Sequence, residues 1–143
     1  MSLINEINAD VERRVTRFEV AVAEIVAVPD ARLVALADSL TDGEHDLISS
    51  AVDQLEDAAD SGSLGRSVPH WEAIFDRANG STKFEKRLGD WRKHLRGMFD
   101  EDRSERVMTV IGSAQPYYLV PEALDARTSA AIASVLSRLG VNA

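Results

Sequence analysis

Four carboxylates between residues 53 and 60 are spaced so that they could act together on one helix face. They are Asp53, Glu56, Asp57 and Asp60, and positions i, i+3, i+4 and i+7 share one face of a helix. Such a face could hold a divalent cation or carry acid–base chemistry if it were buried. Since negative charge is disfavoured near a helix C-terminus, stability alone does not explain these acids. We predict an exposed acidic surface for a basic protein partner; the alternative is a solvated face without a partner.

A second charged group lies in the segment STKFEKRLGDWRKHLR, residues 81–96. It contains six of the 16 Lys and Arg residues in the chain: Lys83, Lys86, Arg87, Arg92, Lys93 and Arg96. At about 100° per residue, these cations surround the polar face of a helix and do not form the dense stripe typical of a groove-reading helix. Phosphate contact needs only the cations. The segment therefore permits nucleic-acid binding, or else it packs against the acidic part of the molecule.

Neither a metal site nor a catalytic site is predicted. None of His45, His70 and His94 has a second histidine three or four residues away, so the helical metal-binding pair is missing. The chain has no cysteine, which excludes disulfides and thiolate ligands. Gly-rich phosphate loops, a nucleophile elbow, HExxH and a calcium loop are all missing from the sequence. We predict no catalytic, cofactor-binding or metal-binding residue, and a protein that is not an enzyme.

The elements that position these groups are predicted to be helices. In residues 3–27 an apolar stripe repeats every seven residues through Ile4, Val11, Phe18 and Ile25, a helical period that faces a core. The tetrapeptide TDGE at 41–44 is typical of a capping box, and one helix is predicted to run from it to about residue 60. The segment DSGSLGRS, residues 60–67, predicts a loop.

The second half of the chain continues the helical pattern. A helix is predicted around Trp71, and in the basic segment Phe84, Leu88, Trp91 and Leu95 form an apolar face. A further helix is expected over 104–113, then a connector with two prolines, AQPYYLVPE, and a last helix from Pro121 or Asp125 to Leu139. No strand is predicted. The predicted fold class is all-α, with six or seven helices in bundle-like or orthogonal packing. We predict a single compact domain, residues 1–143. It consists of an acidic helical half (1–60), the loop (60–67) and a second helical half with the basic helix (67–143).

Charge is unevenly distributed along the chain. The protein has 143 residues and a net charge of −8. Residues 1–65 contain 14 carboxylates and 4 arginines, whereas residues 66–99 contain 8 cations and 4 carboxylates. No apolar run approaches the length of a membrane span, and the N-terminus MSLINEINADVERR lacks the pattern of a signal peptide. We expect a cytoplasmic protein without a membrane partner.

Charge layout and the missing catalytic motifs together favour a non-catalytic helical interaction protein. An inhibitor, an immunity-type neutraliser, an adaptor or an accessory subunit would bind a protein partner through the acidic surface. The alternative is a nucleic-acid-contacting accessory subunit of a larger complex that uses the basic helix 81–99. A third possibility is an enzyme whose site is assembled from distant helices.

Overall fold

A computed structural model of the chain describes residues 3–79 and 101–141. All regular structure in these two ranges is helical, which confirms the all-α prediction. The helices are α1 (Leu3–Val26), α2 (Asp30–Ser39), α3 (Asp42–Ser49), α4 (Ala51–Ser61), α5 (Ser63–Ser67), α6 (Trp71–Asn79), α7 (Glu101–Leu119), a 3-10 helix (Pro121–Ala123) and α8 (Ala126–Arg138). In the described ranges, no helix is both long enough and apolar enough to cross a membrane.

The seven-residue stripe of α1 faces the core along most of its length. Val11, Phe18 and Ile25 are buried, and α1 packs against α6 and α7. Burying a side chain of this size contributes about 1.5–3 kcal/mol relative to leaving it exposed. The N-terminal end differs from the prediction, because Ile4 is 69% exposed although it lies on the same stripe.

The core is centred on α7, which packs against α1, α2, α4, α8 and the 3-10 helix. Val107, Ala114 and Leu119 on this helix are fully buried. The predicted connector AQPYYLVPE, residues 114–122, is wrong for its first six residues, since α7 continues to Leu119 with Pro116 inside it. Proline lacks the N–H of a helical hydrogen bond, but the carbonyl of Pro116 still accepts one from the amide of Val120 at 2.9 Å, and tertiary packing holds the segment helical.

The predicted helix from the capping box to residue 60 is divided in two at Ser50. The capping box itself is confirmed: Thr41 Oγ1 accepts from the Glu44 amide at 3.1 Å, and Glu44 Oε1 accepts from the Thr41 amide at 3.2 Å. Ser50 donates its hydroxyl to the carbonyl of Leu47 at 2.7 Å, a back-bond that bends helices. The acidic residues therefore lie on a separate short helix, α4.

The predicted loop over 60–67 is wrong for most of its length. Only Gly62, in a left-handed conformation with φ +83°, separates α4 from α5. A non-glycine residue is disfavoured at such an angle, so Gly62 permits the sharp change in direction between the two helices. Leu64 in α5 is 1% exposed, and this burial explains why the Ser- and Gly-rich segment is folded.

The last helix begins at one of the two predicted positions. Asp125 caps α8 and accepts from the amide of Thr128 at 2.7 Å. At the other end Gly140, with φ +79°, donates to the carbonyl of Ser137, and Val141 donates to the carbonyl of Leu136. This pair of bonds is a Schellman motif, and it ends the helix where the sequence predicts.

Candidate functional site

The two sides of α4 have opposite characters. Ala51 is fully buried, and Gln54 and Leu55 are half-buried toward α5, α7 and the 3-10 helix. The opposite side carries Val52, which is 47% exposed, and four exposed carboxylates, which are Asp53, Glu56, Asp57 and Asp60. We call these four residues the acidic face.

No carboxylate of the acidic face makes a hydrogen bond or an ion pair with any other described residue. Several other carboxylates of the first half are paired with arginine. Glu12 binds Arg77, and both oxygens of Asp30 accept from Arg106 at 2.7–3.0 Å. Since residues 33–65 contain no Lys or Arg, the acidic face has no cation in its own stretch of chain to neutralise it.

The inner side of α4 is fixed to the start of α8 by one side chain. Gln54 Nε2 donates to Thr128 Oγ1 at 2.7 Å and to Ser50 Oγ at 3.0 Å, while Gln54 Oε1 accepts from the Asp125 amide at 2.9 Å. Thr128 is 0% exposed, so the bond between Gln54 and Thr128 is shielded from water. These bonds, together with the burial of Ala51, hold the inner side of α4 against the rest of the protein.

A partly buried charge cluster joins α1 to the turn before α6 and to the 3-10 helix, and the sequence does not predict it. Arg14 binds Asp10 at 3.0 Å, both oxygens of Glu122 at 2.8 Å and the carbonyl of Leu119 at 2.9 Å. Asp10 also accepts from Arg13 and lies 2.6 Å from His70 Nε2. The Asp10–Arg14 spacing of four residues is a visible pairing signal, but the partners His70 and Glu122 are far away in sequence.

The pKa values in this cluster follow from opposing effects. Burial raises the pKa of Asp10, but the hydrogen bonds from His70 and Arg13 and the charges of Arg14 and Arg13 outweigh it and lower that pKa to about 2. The hydrogen bond from Arg14 lowers the pKa of Glu122 in the same way. Asp10 thus stays ionised at any ordinary pH, and the cluster acts as a structural tie between helices.

The other predicted groups are placed as follows. The cations Lys83, Lys86, Arg87, Arg92, Lys93 and Arg96 lie outside the described residues, as do His94 and the apolar face of that segment. His45 is exposed in the first turn of α3. No group of three or more His, Asp or Glu side chains within residues 3–79 and 101–141 is arranged to hold a metal ion.

Comparison with known proteins gives no match for the chain among family models, curated proteins or solved structures.

Proposed function

We propose that this protein is a non-catalytic interaction protein that binds a protein partner through the acidic face of α4. The partner is basic where it touches Asp53, Glu56, Asp57 and Asp60. The observation that carries the proposal is that these carboxylates are exposed and have no counter-charge among the described residues, although other carboxylates of the same half are paired with arginine.

Energetics support a role for this face in binding. Four like charges on adjacent turns repel one another, and Asp60 lies in the last turn of α4, which contains no basic residue. Negative charge there interacts unfavourably with the helix dipole. On contact, positive charges of a basic partner would offset both the repulsion among the carboxylates and the unfavourable interaction with the helix dipole. Such a partner would be attracted over distances of about 10 Å at ordinary salt.

The neighbourhood of the acidic face also supports an interface. Val52 provides exposed apolar area at one side of the four carboxylates, and protein interfaces combine an apolar contact with charged surroundings. The inner side of α4 is held by Gln54, so the charges are presented in a fixed arrangement. Charge complementarity of this kind contributes mainly to association rate and to partner choice.

The test is affinity capture with a charge-reversed variant. The full-length protein and a triple variant with Asp53→Lys, Asp57→Lys and Asp60→Lys are immobilised and exposed to a lysate of the native host. We expect the unmodified protein to retain a basic partner that the triple variant does not retain. Retention should also fall as the salt concentration rises, because the attraction is between solvent-exposed charges.

A matched control changes the same amount of charge elsewhere. Glu6, Glu72 and Asp76 are exposed and lie on α1 and α6, and replacing all three with Lys should leave the partner bound. Equal retention by the unmodified protein and both triple variants, or by none of them, would contradict the proposal. Circular dichroism of each variant confirms that the helices are intact.

A further inference from the structure

A half-open cavity of about 340 Å³ lies between α2, α3, α7 and α8. Its walls are mainly apolar, with Leu33 and Leu36 from α2, Ile48 from α3 and Val135 from α8. Pockets that bind small molecules in proteins range from about 300 to 1,000 Å³. The cavity is therefore large enough for a small organic molecule and lies at the lower end of that range.

The cavity follows from the way in which α2 and α3 pack. They are joined only through Leu40 and Thr41, yet α2 packs against α7 whereas α3 packs against α8. Because these two short helices pack against different neighbouring helices, a space remains between them. Leu33, Leu36 and Val135 are buried, so the floor of this space is formed by the core itself.

The charge on the cavity wall is already neutralised. Arg106 lines the cavity, but its Nε and one terminal nitrogen donate to the carboxylate of Asp30 at 2.7–3.0 Å. A charged ligand would have to displace Asp30 or remain without a counter-ion in an apolar space, which is unfavourable. The lining therefore suits an uncharged molecule.

Two polar side chains at the cavity are available for hydrogen bonding. Ser49 and His45 both belong to α3, four residues apart on one face, and both are exposed. Neither side chain makes a hydrogen bond with another described residue. By contrast, the hydroxyl of Ser113 donates to the carbonyl of Val110 at 3.0 Å. A ligand polar group would thus be directed toward α3.

We propose that this cavity is a binding site for a neutral, mainly apolar small molecule whose polar group hydrogen-bonds to Ser49 or His45. Its apolar body packs on Leu33, Leu36 and Val135. The carboxylates of the acidic face do not line the cavity, so the two sites are independent and either proposal can fail alone.

The test uses the fluorescent probe N-phenylnaphthylamine, which is neutral and mainly apolar and carries one N–H donor. Titration of the full-length protein should give saturable emission that fits one site. The anionic analogue anilinonaphthalene sulfonate should bind about tenfold more weakly or worse, because its sulfonate finds no counter-charge. Either the lack of saturable binding of the neutral probe or equal binding of the two probes would overturn the proposal.

A pair of variants on α2 locates the probe. Ala37 lines the cavity and is exposed, whereas Ala35 on the same helix is exposed and does not line it. Ala37→Trp should fill the mouth and weaken binding of the neutral probe about tenfold or more, while Ala35→Trp should bind like the unmodified protein. If the two variants bind equally well, the probe is not in this cavity.

A double variant on α3 tests the polar side chains separately from the apolar walls. Replacing His45 by Leu and Ser49 by Ala removes both hydrogen-bonding side chains from α3 and leaves the apolar walls unchanged. We expect about fivefold weaker binding of the neutral probe, in line with the loss of one hydrogen bond. Unchanged affinity would exclude these two residues from the site.

Discussion

His70 Nε2 lies 2.6 Å from Oδ2 of Asp10, and this contact joins the first helix to the turn before α6. The two side chains are only 21% and 19% exposed. Arg14, 14% exposed, approaches the same carboxylate oxygen at 3.0 Å. Asp10 is therefore a partly buried anion whose charge is balanced by residues from two different elements.

The first prediction concerns acid stability. The pKa of Asp10 is about 2 in the folded protein and close to 3.9 in an unfolded chain. Its contribution to folding is thus fully present above about pH 4 and is lost as the pH falls through about 2. Asp10→Asn should reduce the free energy of unfolding at pH 7 by about 1–2 kcal/mol, and it should reduce the loss of stability between pH 4 and 2.

Urea denaturation at a series of pH values measures this effect. Asp38→Asn is the matched control, because Asp38 is exposed on α2 and makes no ion pair with another described residue. That variant should keep the acid dependence of the unmodified protein. If Asp10→Asn also kept that acid dependence, the ionised carboxylate of Asp10 would not stabilise the fold.

The second prediction concerns the side chain that ties α4 to α8. Gln54→Ala removes the donor to Thr128, which is 0% exposed, and the acceptor for the Asp125 amide. Leaving buried polar groups without partners costs about 1–3 kcal/mol. Thermal unfolding should show this loss, whereas Glu56→Ala on the outer side of α4 should change stability by less than about 0.5 kcal/mol.

A double-mutant cycle separates the bond from the loss of side-chain volume. Thr128→Val keeps the shape of Thr128 and removes its hydroxyl. When this change is combined with Gln54→Ala, the total destabilisation should be smaller than the sum of the two single effects. Strict additivity would mean that the 2.7 Å bond adds no stability.

The third prediction is that two glycine-to-alanine substitutions have opposite signs. Gly140 has φ +79°, and a Cβ there would lie 3.4 Å from a terminal nitrogen of Arg32, so Gly140→Ala should destabilise the protein by about 1 kcal/mol. Gly112 lies inside α7, where a Cβ would meet nothing within 4 Å. Gly112→Ala should stabilise by about 0.5–1 kcal/mol. Calorimetric melting temperatures that shift in the same direction would contradict this account.

The fourth prediction is that the acidic face does not support the fold. Asp60 lies in the last turn of α4, so Asp60→Lys should raise stability by about 0.3–1 kcal/mol at low salt. Glu72 lies in the first turn of α6, where negative charge is favourable, and Glu72→Lys should lower stability instead. A marked loss of stability in Asp60→Lys would indicate that the acidic face has a structural role.

Local signals in the sequence predict much of this structure. The helical stripe from Val11 to Ile25, the capping box at Thr41 and the cap at Asp125 depend on residues within one or two turns, and the structure has them where they are expected. The exposure of the acidic face can also be predicted from nearby residues, because the helical period places it on the side away from Leu55.

Long-range contacts account for what the sequence does not predict. Pro116 lies inside α7, although its residue type predicts an interruption, because packing of α7 in the core overrides local propensity. Leu64 stabilises the short α5 by burial in a segment whose Ser and Gly content predicts a loop. The contact between Asp10 and His70 spans 60 positions, and no periodicity within a single element can predict such a pairing.

The bonds of Gln54 have a consequence for how tightly a partner would bind. Because the outer surface of α4 is already oriented by its attachment to α8, association would order few additional backbone degrees of freedom. Pre-organisation of this kind lowers the conformational entropy lost on binding. The same charges placed on a disordered tail would incur that entropy loss in full. A short helix with four carboxylates would thus act as a rigid template for the partner that we propose.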